Sequence, residues 1–488
     1  MLTRILELEQ IALSLEPSTR QRREVRKEVV DYTEDFIKNI YDLKAFIGGP
    51  AQGMALLGSP VSEEPLEIAD ALDLLRENVD TPGLNPASGG HLGYIPGGGL
   101  YYSALGDYLA DITNRYAGLF FTSPGAVRLE NMLLRWMSDL IDYPALSAGN
   151  LTSGGSIANL SAIVTAREAM KVKARDIENG VIYLTTHAHH CIAKSIRIAG
   201  LGESQMRYIP LDKAHRMDMD ALRKSIEEDK ASGLRPWLLI GSAGTTDTGS
   251  VDPLEEMSAI ARSNNMWFHI DAAYGGFFIL CEEGKKKLKG LGLSDSIVMD
   301  PHKGLFLPYG LGVVLVKDGT ALAHAHHYTA NYLQDAKEGH HDELSPANLS
   351  PELTKPFRGL RLWLPLKLHG LKPFRAGLEE KLLLARYFHT EVARLGFETG
   401  PEPELSVVTY RYIPKNKKHR TEDAINTINE KLVGLVQADG RVFISTTTIG
   451  TKYTLRFACL SFRTHLKTVK LLLKILKEQS KMLEKELV

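Results

Sequence analysis

The sequence places a lysine just past the end of an apolar run, in Asp300-Pro301-His302-Lys303-Gly304. That position normally takes small or capping residues. If the side chain faces a cavity, partial desolvation lowers its pKa and frees the amine to attack a carbonyl. About one strand–helix unit upstream stands His269-Ile270-Asp271-Ala272-Ala273-Tyr274-Gly275-Gly276. Asp271, at a neighbouring strand end, is placed to hold a protonated ring nitrogen by a charge-assisted hydrogen bond. An amine for an aldehyde and an acid for a ring nitrogen are the two groups that pyridoxal phosphate asks of a protein.

Other candidates fit around that pair. Leu151-Thr152-Ser153-Gly154-Gly155-Ser156 leads into a helical stretch from 157 to about 174, and a Gly/Ser turn before a helix offers free backbone N–H groups to a phosphate. It has neither the Gly-Lys-Ser/Thr of a nucleotide loop nor the spaced glycines of a dinucleotide fold. Gly155 and Ser156 are its expected contacts. His189 follows a strand and can lay its flat ring on a cofactor. Thr245 and Thr246 bring hydroxyls to another strand end. A metal reading of His187, His189 and His190 finds no carboxylate at ligand spacing and a lone thiol at Cys191, so no metal is expected. His91 to Gly99 reads either as a pocket wall carrying His91, Tyr94 and Ile95 or as a tight surface loop.

These residues need a scaffold that brings strand ends together. Val181–Thr185, Trp237–Ser242, Trp267–Ile270 and Ser296–Met299 read as strands, with helical patterns at 192–199, 219–230, 255–264 and 282–289. The alternation implies a mostly parallel sheet covered on both faces, with its ligand beyond the carboxyl ends of the strands. Three regions are expected: a helical arm over 1–100, a large α/β domain over 101–373 and a small α+β domain over 374–488. Residues 317–357 are polar and His-rich, too long for a plain connection.

Bulk properties exclude several classes. Lys plus Arg number 58 against 59 for Asp plus Glu, a net charge of −1, which offers no field for nucleic acid or an anionic membrane. The three cysteines, Cys191, Cys281 and Cys459, form no disulfide framework and suit a reducing compartment. No apolar run reaches spanning length, and the charge-rich start lacks a signal-peptide core, so a cytoplasmic protein is expected.

Ser153-Gly-Gly-Ser156, His187-Ala-His189, Gly244-Thr-Thr246, Asp271-Ala-Ala-Tyr-Gly275 and Asp300-Pro-His-Lys303 together resemble the motifs of the group II pyridoxal-phosphate-dependent amino acid decarboxylases. Order and spacing match from about His91 to Gly370. The resemblance implies a fold-type I homodimer with interface active sites, acting on an amino acid, with an aromatic substrate slightly favoured. It implies Lys303 as the Schiff-base lysine, Asp271 on the pyridinium, and His189 and Ala273 on the two ring faces. Gly155, Ser156 and His302 would surround the phosphate end, with Thr246 near the ring substituents. Tyr332, in Asn331-Tyr332-Leu333, would reprotonate the substrate carbon. Two departures stand out. Asp300 replaces an asparagine that many members set on the phosphate, so it is expected to turn elsewhere or the phosphate seat to differ. Gly97 to Gly99 lie where members shape the substrate pocket. The rival readings are an aminotransferase, a carbon–carbon lyase, an oxidative aldehyde-forming decarboxylase, and a catalytically idle binding relative.

Overall fold

The computed structural model describes residues 1–49, 52–327 and 343–486. In chain order its strands are β1 (Phe46–Ile47), β2 (Gly83–Leu84), β3 (His91–Leu92), β4 (Ala148–Thr152), β5 (Gly180–Thr185), β6 (Gln205–Ile209), β7 (Arg235–Ser242), β8 (Trp267–Asp271), β9 (Ser296–Met299), β10 (Gly312–Val316), β11 (Phe397–Thr399), β12 (Val407–Tyr412), β13 (Phe443–Ile449) and β14 (Lys452–Ala458). Seven form one sheet in the order β4-β10-β9-β8-β7-β5-β6. Only β10 runs against its neighbours; β9, β8, β7, β5 and β6 pair in parallel.

The middle of the sheet is buried on both faces, which is why strands such as β5, β9 and β10 are largely apolar. Alternate side chains enter two different cores. Val181, Tyr183, Ile297 and Met299 pack on one side, and Ile182, Leu184 and Val298 on the other. Four strands match the sequence expectation closely. Three others, β4, β6 and β10, were not expected.

The second sheet follows the order β11-β12-β14-β13-β3 and carries its own core around Phe388, Leu432, Phe457 and Leu472. Its edge strand β3 comes from the N-terminal region, with His91 opposite Phe443 in a parallel pair. The helix Leu371–Arg394 belongs to both cores: Phe374, Leu378 and Leu382 join the first, Phe388 and Val392 the second. The two N-terminal helices, Leu2–Ala12 and Thr19–Asn39, bury no residue. Among the described residues no helix is long and apolar enough to cross a membrane.

Candidate functional site

Five segments after strand ends converge on one cavity of about 260 Å³. Ser153–Ser156 follows β4, His189 and Cys191 follow β5, and Gly244–Thr246 follow β7; Asp271 and Ala273 close β8, and Asp300 with Lys303 follow β9. Parallel strands all deliver their carboxyl ends to the same edge, so the crevice forms where sequence reasoning placed it.

Lys303 sits in a single helical turn, Pro301–Gly304, that Asp300 begins. Its side chain is 24% exposed, and Nζ lies 2.9 Å from Asp300 Oδ2. Burial lowers its proton affinity, but the carboxylates of Asp300 and Asp271 outweigh that and raise its pKa. The expectation of a pKa lowered by desolvation is therefore corrected. Two acids face this amine, and the sequence argument counted only its burial.

Asp271 is held at both oxygens. The Ala273 N–H donates to Oδ1 at 3.1 Å and Asn159 Nδ2 donates to Oδ2 at 3.3 Å. Burial raises its pKa, with Lys303 and these donors acting in the opposite direction. Asp300 differs. It is 1% exposed, no backbone N–H supports either oxygen, and its partners are the Lys303 amine and His302 Nε2 at 3.6 Å. The carboxylate does not turn away. It lies beneath the turn before the helix Gly155–Ala169, where a Cβ on Gly155 would come within 2.8 Å of Oδ2. Only glycine permits that approach.

His189 caps the helix His190–Ile198 through its own ring, Nδ1 accepting from the Cys191 N–H at 3.2 Å. Burial, helped by His190 and Lys303, pushes its pKa down to about 4, so the ring is neutral and able to stack. The His302 ring is fixed by Leu311, whose carbonyl lies 2.6 Å from Nδ1. Gly155, Ser156, Thr246 and Ala273 line the same cavity. Thr245 is committed elsewhere, its hydroxyl 2.8 Å from that of Thr248.

His91, Tyr94 and Ile95 do not line this cavity within the chain. His91 is buried in the small sheet, and Tyr94 is 57% exposed. The neighbouring Gly97 does approach the site, because a Cβ there would lie 2.0 Å from the His302 carbonyl. The glycines thus let the backbone close on the lysine turn. Tyr332 lies outside the described residues.

Two residues escaped the sequence reading. Asn159 stands one helical turn after Gly155, a spacing that puts both on the same face toward the crevice. Arg456, on β14, donates to the carbonyls of Thr246 and Asp247 and to Ser445 Oγ, and so clamps the β7 turn from the small domain. No local sequence signal marks it, since Thr246 and Asp247 lie 210 and 209 residues away in the chain.

The lining fits pyridoxal phosphate. An amine, a doubly supported carboxylate, a flat neutral imidazole and a glycine-opened helix N-terminus surround one small space. The comparisons agree. Residues 50–413 match the family model described as the pyridoxal-dependent decarboxylase conserved domain. The chain belongs to the pyridoxal-dependent decarboxylase family.

This decarboxylase is 31% identical over 409 residues to the aromatic-L-amino-acid decarboxylase of Bacillus atrophaeus, covering 84% of each chain. It is 28% identical over 482 residues to the phenylacetaldehyde synthase of Arabidopsis thaliana, covering 95% of this chain and 96% of that one. Its fold is similar to the crystal structure of Oryza sativa TDC with PLP and tryptamine, at TM-score 0.89 and 22% identity, over 96% of this chain and 99% of that one. It is a fold-type I carboxy-lyase that uses pyridoxal phosphate and acts on an amino acid.

Proposed function

We propose that the enzyme converts an aromatic L-amino acid to the corresponding amine and CO2, working as a cytoplasmic homodimer. The observation that carries the site assignment is the meeting of Lys303 and Asp271 in one cavity. When bound, the cofactor supplies an electron sink for the pair of electrons left on Cα as CO2 departs.

The chain's own groups do the rest. Lys303 attaches the cofactor and, once displaced, is an amine that can carry a proton near Cα. Asp271 holds the proton on the ring nitrogen. His189 and Ala273 would confine the cofactor ring from its two faces and so hold it in one orientation toward the substrate. Gly155, Ser156 and His302 hold the phosphate end, and Thr246 the ring substituents. Tyr332 protonates Cα. His91, Tyr94 and Ile95, which lie outside the cavity of their own chain, join the substrate side of the site only across the homodimer interface. The similarity to the Bacillus atrophaeus enzyme supports an aromatic substrate.

The homodimer is supported by the N-terminal helices. Ile5, Leu6, Leu8, Ile11, Val29 and Val30 are exposed on an arm that buries nothing in its own chain. Apolar surface of that extent marks an interface, and deletion of residues 1–39 should convert a dimer to monomers in light scattering.

The decisive experiment incubates the purified holoenzyme with tryptophan, tyrosine, phenylalanine, glutamate and histidine, and measures CO2 and organic product. Aromatic amines with CO2 in equal amounts are expected; a preference for glutamate or histidine rules out the aromatic assignment. A second reading, oxidative decarboxylation to the aldehyde with molecular oxygen as the oxidant and ammonia and hydrogen peroxide released beside CO2, is favoured by the similarity to a phenylacetaldehyde synthase. Tyr332 distinguishes them. Tyr332→Phe should keep its cofactor while part of the product shifts from amine to aldehyde, and unchanged amine yield removes Tyr332 from the proton transfer.

A further inference from the structure

Behind Asp271 lies a chain of buried polar groups that the reaction as described does not use. Asn159 Oδ1 is 2.8 Å from His269 Nε2, and His269 Nδ1 is 2.9 Å from Ser296 Oγ. Ser296 Oγ in turn lies 2.9 Å from Trp267 Nε1. Asn159, His269 and Ser296 are each fully buried.

The direction of every bond in this chain can be worked out. Around Asn159 Nδ2 stand three acceptors: the Gly155 carbonyl at 2.9 Å, Asp271 Oδ2 at 3.3 Å and Cys191 Sγ at 3.6 Å. An oxygen at that position would face three lone pairs, so the nitrogen must be there and Oδ1 must face His269. His269 Nε2 therefore carries a hydrogen. Burial pushes the pKa of this imidazole down to about 4, so it is neutral and its Nδ1 is bare. Ser296 must then donate to Nδ1. The indole of Trp267 can only donate, and it supplies Ser296 Oγ.

We infer that Trp267, Ser296, His269 and Asn159 form a one-way hydrogen-bond relay that ends on Asp271 Oδ2 and positions and polarises the acid for the cofactor's ring nitrogen. Every donor points toward the carboxylate. Each bond strengthens the next in a low-dielectric interior, and the last one favours the ionised form of Asp271. The relay answers a specific problem: a carboxylate in this setting tends to take up a proton, and a protonated Asp271 cannot hold one on the ring. These four are positioning residues; of them only Asn159 borders the cavity.

The inference rests on Asp271 meeting the ring nitrogen. Both are tested by one measurement, the nitrogen-15 resonance of labelled pyridoxal phosphate bound to the enzyme, alongside the Kd of the cofactor for apoprotein. Wild type is expected to show a protonated ring nitrogen. In Asn159→Ala the resonance should move toward that of neutral pyridine and the Kd rise about tenfold or more. Ser296→Ala, two bonds behind, should move both in the same direction by less. Ile163→Ala is the control: it opens a hole on the same helix as Asn159, in the core that also holds Trp267, and removes no hydrogen bond of the relay. It should lower the melting temperature and leave the resonance in place. The relay is overturned if Asn159→Ala and Ser296→Ala leave the ring nitrogen as in wild type, or if Ile163→Ala shifts it equally. An unprotonated ring nitrogen in wild type would instead remove the role of Asp271 itself.

Discussion

Among the described residues two lysines pair with a carboxylate that is only 1% exposed, and they behave differently. At the end of β9, Lys303 lies 2.9 Å from Asp300 beside an open cavity. Near the first turn of the helix Gly359–His369, Lys355 lies 3.6 Å from Glu130 with neither side chain more than 1% exposed. Lys355 also donates to Asn150 Oδ1 at 2.9 Å and to the Leu151 carbonyl at 3.2 Å, while Glu130 Oε1 accepts from the Gly359 N–H at 3.0 Å. Burial pushes the Lys355 pKa down and the Glu130 pKa up. The Lys303 pKa instead moves up, because two acids share one amine.

The contrast shows that a perturbed lysine does not by itself mark a reactive one. Lys355 has spent its donors on fixed acceptors and faces no space that a substrate could enter. It ties the segment 355–359 to β4 and to the helix Pro124–Leu140, which carries Glu130. Lys303 has a single fixed oxygen as its partner and a cavity on its other side. Free donor capacity and open volume separate the two roles.

The largest effect should come from Lys303→Ala. Catalysis is expected to fall by about 10³-fold or more, as when a residue that forms a covalent bond is removed. Borohydride reduction should leave the cofactor attached to the peptide containing residue 303 in wild type and to no peptide in the variant. Thermal unfolding should change little, because the space vacated by the lysine side chain opens Asp300 to the cavity beside it. A variant that keeps covalent cofactor would break the comparison at its root.

Lys355→Met should show the opposite pattern. Removing one partner of a buried pair costs about 3 kcal/mol, the lower end of the usual range because Glu130 can take up a proton. Urea unfolding measures the loss, while turnover per folded molecule stays near wild type. Pairing Lys355→Met with Glu130→Leu should recover part of the stability, since apolar replacement of both partners removes the buried charge. If the double variant is no more stable than Lys355→Met, the pair is not the unit that matters.

The sequence made the first of these regions legible and left the second obscure. Lys303, Asp271, His189 and the Gly155 turn each follow a strand, and a parallel sheet gathers strand ends on one edge, so local order along the chain became proximity in space. Glu130 and Lys355 are separated by over 200 residues and sit in helical and loop segments with no special pattern. The same reason hid Arg456 and the small-sheet role of His91–Leu92, a strand too short to show alternation. The strand β10 was passed over because it runs against the others, outside the repeating strand–helix order. Asp300 was legible as a departure, but its direction was not. A dianion argued for turning it away, and the lysine that holds it in place lies three residues later on the same turn.

Asp300→Asn sharpens the comparison with the smallest expected change. The substitution keeps the shape of the side chain and removes one of the two charges that raise the Lys303 pKa. With the pKa lowered, a larger fraction of the amine is unprotonated at any pH below it, and that is the form able to attack an aldehyde. The rate at which apoprotein takes up pyridoxal phosphate, followed by its absorbance between pH 7 and 9, should rise with pH in wild type. In Asp300→Asn the same profile should move to lower pH, giving a rate several-fold higher at neutrality; a full pKa unit would give about tenfold. Glu130→Gln, the matching change at the structural pair, should leave that profile where it is. If both profiles coincide with wild type, Asp300 is a packing group like Glu130, and the distinction drawn between the two lysines lies only in the cavity.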